Sequence, residues 1–316
     1  MNETSRNSAA KATGGPVQPP MPLADLRVAV TGAGGRLAKL LIPELVKVCR
    51  EVVCISRHEE KGVMSWKEAL DGGLRGVDVL VHTAWSCVPL TSHTPGEPVG
   101  LTDMRLCSQI MTNEAVRDLR QVIFFSSASV YGPTDGMKVT ETSQQDPRSL
   151  YGATKSYVEH LFNILGREIG LMPCVLRITN PYGFPYDPHR PQGLISRAVD
   201  CLKKGTELGV WGDGTIPKDY LHMDDLSSAI QAVMAANLAG TYNVSSGESH
   251  TSLEIFRLME AATGRKLAIR FGPGYAWDCG MGIISHEKLT KACGWRPGKT
   301  LKKGLQEVVD CFLEGS

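Results

Sequence analysis

The sequence predicts an α/β fold with a doubly wound parallel sheet and a smaller C-terminal α/β lobe that binds substrate. Short apolar runs alternate with helical patterns through the first 180 residues, and this order is typical of a parallel sheet with helices on both faces. A glycine-rich turn directly follows the first apolar run and opens a helical pattern. After about residue 180 the alternation loosens, and proline, glycine and tyrosine become frequent.

Each predicted element rests on a particular stretch of sequence. The first strand is the apolar run from Leu26 to Val30, which ends at the glycines. Helical spacing of apolar residues predicts a helix that ends near Gly170. The further strands are expected within 51–57, 77–84, 121–132 and 173–183, and helices at about 101–118 and 151–170.

The predicted domain division follows these elements. The N-terminal stretch is polar and rich in glycine and proline, and it lacks the apolar core of a signal peptide, so we expect a disordered leader. The division is a leader at 1–23, a dinucleotide-binding domain at 24–179 to which 222–246 return, and a substrate-binding lobe at 180–221 and 247–316.

Composition excludes several functional classes. A length of 316 residues fits two domains or one α/β domain with an added lobe. The formal net charge of +1 marks neither a nucleic-acid nor a membrane surface, and no apolar run could span a bilayer. The nine cysteines form no C-x-x-C pair and no metal-ligand spacing with histidine, so no metal site is expected. An odd number of cysteines without the spacing of a disulfide framework is typical of proteins in a reducing cytoplasm.

The stretch VTGAGGRLA, residues 30–38, predicts dinucleotide binding on a Rossmann-type sheet. Gly32 permits a sharp exit from the strand, and Gly35 lets the backbone approach a pyrophosphate at the helix N-terminus. Ala38 is small enough for the helix to pack on the strand. The second strand ends in Ser56-Arg57, without an acid before Glu59. An arginine there accommodates a 2′-phosphate, so this dipeptide favours NADP over NAD.

Tyr151 and Lys155 stand four residues apart in YGATK, and therefore share a face of the predicted helix. They could be a surface pair, or a phenol whose proton is made easier to remove by an ammonium. A free tyrosine has a pKa near ~10 and is a poor base at neutral pH. A cationic Lys155 would favour the phenolate and bring the tyrosine towards its working pH.

Several motifs in order resemble the extended short-chain dehydrogenase/reductases, and among them the nucleotide-sugar epimerase/dehydratase family. They are the glycine turn, SSASVYG (126–132), YGATK (151–155), LRITNPYG (176–183) and WGDGTIPKDYLHMDDL (211–226). The resemblance runs from about residue 26 to residue 315. It implies a catalytic serine, tyrosine and lysine that assist hydride transfer between a sugar carbon and the nicotinamide of NAD or NADP. The matching residues are Ser127, Tyr151 and Lys155.

The resemblance also implies binding residues around this triad. Tyr151 is expected to be the general acid/base, Ser127 to hydrogen-bond the reacting oxygen, and Lys155 to reach the nicotinamide ribose. The expected cofactor contacts are Gly32, Gly35, Arg36, Leu37, Ser56, Arg57, Thr83, Ala84, Tyr151 and Lys155. The expected substrate contacts are Trp85, Ser86, Ser127, Asn180, Arg197, Lys218 and Tyr275.

Two positions depart from the family pattern. The family carries arginines that hold the substrate diphosphate where this chain has Lys218 and Tyr275. Lysine binds phosphate only as a point charge, and tyrosine supplies one hydroxyl. Arg190 and Arg197 are possible replacements. The substrate is therefore expected to be a nucleotide sugar held differently, or a smaller keto-sugar or polyol.

Four functions are compared at this point, two of them favoured and two disfavoured. A 4-epimerase, working on a UDP-hexose-type substrate through a 4-keto intermediate, is favoured by the overall resemblance. An NADPH-dependent keto-sugar reductase is favoured by Ser56-Arg57. A 4,6-dehydratase is disfavoured because Ala128-Ser129 replace its Asp-Glu pair, and a non-catalytic dinucleotide sensor is disfavoured because the triad is intact. The resemblance also implies a homodimer, formed through the helix of Tyr151 and the helix before the fourth strand.

Overall fold

A seven-stranded parallel sheet is the centre of the computed structural model. The structure describes residues 19–57, 61–87, 100–134, 136–184 and 193–314, so Arg190 and most of the expected leader lie outside the described residues. In chain order the elements are β1 (Arg27–Thr31), α1 (Arg36–Val48), β2 (Glu51–Ser56), β3 (Met64–Ser65), α2 (Trp66–Glu68), β4 (Val79–His82), α3 (Leu101–Met111), β5 (Gln121–Ser127), α4 (Leu150–Ile169), β6 (Cys174–Ile178), β7 (Asn180–Tyr182), α5 (Leu194–Lys204), β8 (Leu208–Trp211), β9 (Tyr220–His222), α6 (Met223–Ala235), β10 (Gly240–Val244), α7 (Ser252–Thr263), β11 (Ile269–Gly272), α8 (Glu287–Cys293) and α9 (Leu301–Glu314).

The strand order places a ligand crevice between β1 and β4. The order across the sheet is β10-β6-β5-β4-β1-β2-β3, and the neighbouring strands pair in parallel. From β1 the chain first runs outwards through β2 and β3, and then returns to β4 on the other side. Thr31 pairs with His82 at this point. Ligands of such sheets bind at the carboxyl ends of the strands where the order reverses.

The doubly wound fold class is confirmed by this sheet, and most of the predicted strands lie within one or two residues of their expected positions. The helix expected at 101–118 is shorter than predicted. It ends at Met111, and the Asn113 side chain accepts a hydrogen bond from the Ala115 N–H at 3.0 Å to start a separate 3₁₀ turn, Glu114–Asp118. The two-residue strand β3 was not predicted, because two residues carry no periodicity.

Helices cover both faces of the sheet with apolar side chains. On one face, α1 and α6 contribute buried residues to a single cluster with the strands. On the other face, α3 and α4 do the same. Representative members are Leu41, Leu45, Ile230 and Val233 on the first face, and Ile110, Met111, Val158 and Phe162 on the second.

Two small parallel sheets and the helices α5, α7 and α9 belong to the C-terminal part of the chain. β8 pairs with β11, and β7 pairs with β9. Helices α5, α7 and α9 share a third apolar cluster with β8. The chain then re-enters the central sheet, because β10 pairs with β6 from Gly240 to Val244. Among the described helices, none has the length and apolar character needed to cross a bilayer.

Candidate active site

The glycine turn lies against the loop that follows β4. Gly32 has a φ of +72°, a conformation that glycine adopts without strain. A Cβ on Gly32 would come within 2.7 Å of the Ala84 Cα, so the two backbones are in contact. Helix α1 begins at Arg36 after Gly35, and no side chain caps it. The sequence predicts the pyrophosphate at this helix end, where the N–H groups of a first turn face an anion.

A cavity of about 650 Å³ opens beside this turn and extends to the C-terminal lobe. Its walls bring together residues from the carboxyl ends of the central strands, from α4 and from the start of α5. Many of the predicted site residues line it. They are Gly35, Arg36, Leu37, Thr83, Trp85, Ser86, Ser127, Tyr151, Lys155, Asn180 and Lys218.

Ser127 and Tyr151 meet at the wall of this cavity. Ser127 is the last residue of β5, and Tyr151 lies in the first turn of α4, whose N-cap is Ser149. The Ser127 hydroxyl lies close enough to the Tyr151 phenol to act on its pKa, which it lowers. It also donates to the Ser129 hydroxyl at 3.1 Å and accepts from the Ser129 N–H at 3.2 Å. The serine is therefore held in one orientation and connects the phenol to a second hydroxyl.

Lys155 is buried one turn further along α4. Its Nζ donates to the Phe125 carbonyl at 2.6 Å and lies 3.6 Å from the ring centroid of Trp85, a cation–π distance. Burial lowers the pKa of Lys155 to about 7, against the opposing influence of nearby acidic groups. A buried amine with a pKa near neutrality is typical of a functional site.

The pKa of Tyr151 moves in the direction opposite to that expected from the sequence. Burial raises it, and the neighbouring Ser127 hydroxyl opposes this rise. The Lys155 ammonium, directed at the Phe125 carbonyl and the Trp85 ring, lies 6.0 Å from the centroid of the phenol ring. Burial therefore determines the pKa of Tyr151, and Lys155 is not among the groups that shift it.

A buried ion pair beneath the triad was missed by the sequence reasoning. The Arg177 guanidinium lies 2.7 Å from the Glu159 carboxylate, and both side chains are buried. Ser126, next to Ser127, donates to Glu159, and so does Gln145 at 2.9 Å. Arg177 also donates to the Tyr131 hydroxyl at 2.9 Å. This network ties the end of β5 to α4. Glu159 could have indicated this ion pair, because it is a charged residue within the apolar face of a predicted helix.

Asp103 is a second buried carboxylate that the sequence reasoning missed. It lies on the inner face of α3 and accepts hydrogen bonds from the Ser86 N–H at 3.0 Å, the Ser86 hydroxyl at 2.9 Å and the Cys87 N–H at 3.1 Å. It shares its helix face with Cys107, four residues on. The sequence could have indicated this buried carboxylate, because Asp103 is an acid at an apolar position of a predicted helix.

His82 lies behind the cavity wall at the end of β4. Its Nδ1 is 2.8 Å from the Thr31 hydroxyl and its Nε2 is 3.3 Å from the Cys107 sulfur. Burial, and secondly the charge of Lys155, lower the pKa of His82 to about 3. Thr31 in turn accepts a hydrogen bond from the Ala84 N–H at 3.3 Å. His82 is therefore a neutral support for the loop that contacts the glycine turn.

His82→Gln is expected to weaken the acid sensitivity of folding. Between about pH 6.5 and pH 3 the unfolded state protonates this histidine and the folded state does not, so stability falls as the pH is lowered through this window. Between pH 7.5 and 5 the loss from this residue is about 2 kcal/mol. Urea unfolding at both pH values measures it. His160→Gln, at an exposed position of α4, is the control. An equal pH dependence in wild type and His82→Gln would contradict the assignment.

Lys218 and Tyr275, both expected to contact substrate, have different surroundings in the C-terminal lobe. Lys218 lines the cavity, but its Nζ is paired with the Asp278 carboxylate at 2.5 Å. Tyr275 stacks on Trp277 with ring centroids 4.8 Å apart and is not among the described cavity walls. The Asn180 side chain, which lines the cavity, donates to the Asp219 carbonyl at 2.8 Å.

Three other predicted residues lie at the margin of the site or beyond it. Arg197, on α5, donates to the Gly209 carbonyl at 3.2 Å and is absent from the described walls. Ser56 is buried at the end of β2, and its hydroxyl lies 4.0 Å from where a Cβ on Gly34 would stand. Arg57 follows it and is exposed. These two residues thus border the glycine turn, where the adenosine half of a dinucleotide is expected.

A cluster of possible metal ligands lies where the start of α6 meets α9. It consists of His222, Asp224 and Glu307. The Lys299 ammonium lies 2.5 Å from the Asp224 carboxylate and also contacts Glu307. The His222 side chain accepts a hydrogen bond from the Asp224 N–H and caps α6. These contacts join α6 to α9 and give the carboxylates a cationic partner from the chain itself.

Comparison with known proteins places the chain in a family. A model of the NAD dependent epimerase/dehydratase family matches residues 28–245. The chain is 26% identical over 307 residues to the UDP-glucose 4-epimerase of Lacticaseibacillus casei, with 86% of this chain and 92% of the relative covered. It is 29% identical over 209 residues to the dTDP-glucose 4,6-dehydratase of Xanthomonas campestris pv. campestris, with 62% and 59% covered.

A solved structure agrees with the sequence comparisons. The UDP-glucose 4-epimerase of Thermus thermophilus, in complex with NAD, has a TM-score of 0.79 and 26% identity, and the match covers 92% of this chain and 100% of that chain. The Gly32 turn, the strand order and most of the cavity residues described above occur within the part of the chain that the family model matches. The chain therefore belongs to the NAD dependent epimerase/dehydratase family and is an enzyme of that family.

Proposed function

We propose that this enzyme is a nucleotide-sugar 4-epimerase that acts on a UDP-hexose-type substrate. The observation that carries the proposal is that Ser127 and Tyr151 lie together at the wall of a cavity that also reaches the glycine turn. A proton-transfer group and a dinucleotide cradle thus share one space. The relatives named UDP-glucose 4-epimerase support the choice of substrate class.

The residues present fit a nicotinamide dinucleotide. The close contact of Gly32 with Ala84, the uncapped start of α1 and the burial of Lys155 match what such a cofactor needs for its pyrophosphate and its ribose. When bound, the cofactor supplies the acceptor and donor of hydride. The residues proposed to hold it are Gly32, Gly35, Arg36, Leu37, Ser56, Arg57, Thr83, Ala84, Tyr151 and Lys155.

The catalytic residues have separate proposed roles. Tyr151 takes the proton of the sugar 4-hydroxyl and later returns it, as a general base and acid. Ser127 donates a hydrogen bond to the reacting oxygen and passes the proton to the phenol, beside which it lies. Lys155 supplies positive charge that favours the phenolate once a ligand draws its Nζ from the Phe125 carbonyl. Trp85 and Asn180 form the wall beside the sugar, and Lys218 forms the wall beside the nucleotide.

The described walls favour an epimerase over a dehydratase. No aspartate or glutamate occurs among the described residues that line the cavity. Elimination of water across two carbons needs an acid and a base in addition to the tyrosine. Ala128 and Ser129, which follow the catalytic serine, provide no carboxyl group. An epimerase needs only the proton transfer that Tyr151 provides.

A second candidate function is an NADPH-dependent keto-sugar reductase. Arg57 favours it, because this arginine is exposed directly after β2, where the adenosine ribose of a dinucleotide is expected. A guanidinium at this position can pair with a 2′-phosphate. The two candidates differ in whether the cofactor is recycled or consumed.

The first experiment identifies the dinucleotide that the purified protein releases on denaturation, by mass spectrometry, together with titrations of NAD(H) and NADP(H). Retained NAD and interconversion of UDP-glucose and UDP-galactose without added cofactor are expected for the epimerase. An empty protein that prefers NADPH, and consumes it stoichiometrically with a keto-sugar, would overturn the epimerase proposal and support the reductase.

We also propose that the enzyme is a homodimer formed through α3 and α4. Three large apolar residues of α4, spaced seven apart, are exposed on one face, namely Leu150 (50%), Tyr157 (53%) and Ile164 (55%). Leu101 of the adjacent α3 is exposed by 52%. A stripe of this kind is costly to leave in water and is typical of an interface.

Ile164→Asp is expected to convert the dimer into a monomer, because the carboxylate would be buried in the interface without a partner. Analytical ultracentrifugation measures the mass. Val46→Asp is the matched control, since Val46 is exposed by 60% on α1, away from the stripe. A wild-type monomer, or an Ile164→Asp protein of wild-type mass, would refute this interface.

Two further assignments complete the proposal. We propose the domain division expected from the sequence, with 24–179 and 222–246 binding the dinucleotide and 180–221 and 247–316 forming the substrate lobe. The pairing of β10 with β6 supports the return of 222–246. We further propose a reducing compartment, the cytoplasm, for this enzyme, because its nine cysteines, all within the described part of the chain, form no disulfide.

A further inference from the structure

The surroundings of Lys155 contain one carboxylate without a cationic partner among the described residues. The acidic groups that face its ammonium are Cys107 and Asp103 of α3, Glu159 of α4, and Cys87 of the loop after β4. Burial raises the pKa of Cys107 to about 12 and also raises the pKa of Cys87. Both are therefore uncharged thiols at neutral pH and cannot compensate a positive charge.

The remaining neighbours of Lys155 are neutral or already paired. Glu159 is bound by Arg177. His82 and Tyr151 are neutral at pH 7, because burial lowers the pKa of the former and raises the pKa of the latter. Within the described ranges, no lysine or arginine forms an ion pair with Asp103, whose partners are the N–H and O–H groups of Ser86 and the N–H of Cys87.

The contacts of Asp103 also determine where Trp85 lies. Ser86 and Cys87 follow Trp85 directly, and Asp103 holds both of them. The Trp85 ring lies on the Lys155 ammonium at 3.6 Å, and its indole Nε1, although buried, has no hydrogen-bond partner in the described part of the chain. The indole is thus held by its ring face and by the backbone that follows it, not by its own polar group.

We propose that Asp103 is a positioning residue for Lys155, which holds the Ser86–Cys87 backbone so that Trp85 covers the lysine, and whose negative charge favours the ammonium form. This assignment rests on the proposed catalytic role of Lys155. Without Asp103, a lysine buried among apolar and aromatic groups loses its ammonium at a lower pH. The carboxylate therefore extends the pH range over which the enzyme keeps the cation that its tyrosine needs.

The first test uses the protein without substrate or cofactor. The fluorescence of Trp85, obtained as the difference between each protein and its Trp85→Phe counterpart, is followed from pH 5 to 10 to report the protonation of Lys155. In Asp103→Asn the pH midpoint of the fluorescence change is expected to fall by about one unit. This is the smallest pKa shift that a nearby opposite charge usually produces. Asp118→Asn, the same change at an exposed site, is expected to keep the wild-type midpoint. A wild-type midpoint in Asp103→Asn would overturn the proposal.

The second test separates this proposal from the proposed function. If the enzyme turns over UDP-hexoses, the alkaline limb of its kcat profile is expected to shift with the fluorescence midpoint in Asp103→Asn.

Should Asp103→Asn not fold, Asp103→Glu retains the charge in a displaced position. It is then expected to alter Trp85 emission while the midpoint stays near that of wild type. A Glu variant whose midpoint falls by a full unit would contradict the role of the charge. Absence of turnover with UDP-hexoses contradicts only the proposed function.

Discussion

Tyr151→Phe is expected to lower kcat by about a thousandfold, the middle of the range for loss of a general acid or base. The variant removes the hydroxyl that lies beside Ser127 and leaves the ring in place. Cofactor binding is expected to stay within a few-fold of wild type, because the ribose contact is assigned to Lys155. Steady-state kinetics with UDP-glucose and a titration of NAD(H) measure the two quantities separately.

The matched control is Tyr157→Phe on the same helix. Tyr157 is exposed by 53%, away from the cavity wall, and its hydroxyl is expected to contribute nothing to turnover. The assignment of Tyr151 as the base is wrong if its phenylalanine variant turns over at the wild-type rate. A variant that loses turnover and cofactor together would indicate a structural role.

Gly32→Ala is expected to reduce the affinity for the dinucleotide by about a hundredfold. The added Cβ would lie 2.7 Å from the Ala84 Cα and 2.9 Å from the Ala84 nitrogen, so the backbone of one loop has to move. Overpacking of this kind costs up to about 3 kcal/mol, which corresponds to about a hundredfold in affinity. Isothermal titration with NAD(H) measures the effect.

Gly170→Ala separates this clash from the strain of a positive φ. Gly170 has a φ of +73° against +72° at Gly32, and a Cβ there would contact nothing within 4 Å among the described residues. The Gly170→Ala substitution is expected to lower the free energy of unfolding by about 1 kcal/mol and to leave cofactor affinity unchanged. Equal affinities of the two variants would show that the contact between the glycine turn and Ala84 has no part in binding.

The sheet was predictable because its strands are short, apolar and separated by helical patterns. The run at 121–127 is buried along its whole length, so it reads as a continuous apolar segment, as strands covered on both faces do. The end of α3 was not predictable in this way. Helical spacing continues beyond Met111, and only the side-chain bond of Asn113 to the Ala115 N–H starts a new turn. Local side-chain bonds of this kind leave little trace in periodicity.

The candidate site was predicted in part because its motifs are contiguous. Gly32, Tyr151 and Lys155 each stand in a short motif whose spacing carries meaning by itself. The ion pair of Lys218 with Asp278 spans 60 residues of sequence, and no local sequence pattern predicts it. The same holds for the hydrogen bonds that Asp103 accepts from Ser86, 17 residues away. The environment that shifts the pKa of Lys155 is assembled from distant segments, and only a folded chain shows it.

The late return of the chain to the central sheet affects how the protein can fold during synthesis. The buried cluster that contains Leu41 and Leu45 of α1 is completed by Ile230 and Val233 of α6 and by Val244 of β10. Until β10 has left the ribosome, a nascent chain carries one apolar sheet face without α6 and a β6 edge without its neighbour. Such surfaces invite aggregation and chaperone binding. A chain truncated or stalled before residue 240 would therefore be a substrate for quality control, although Ser127, Tyr151 and Lys155 have already been made.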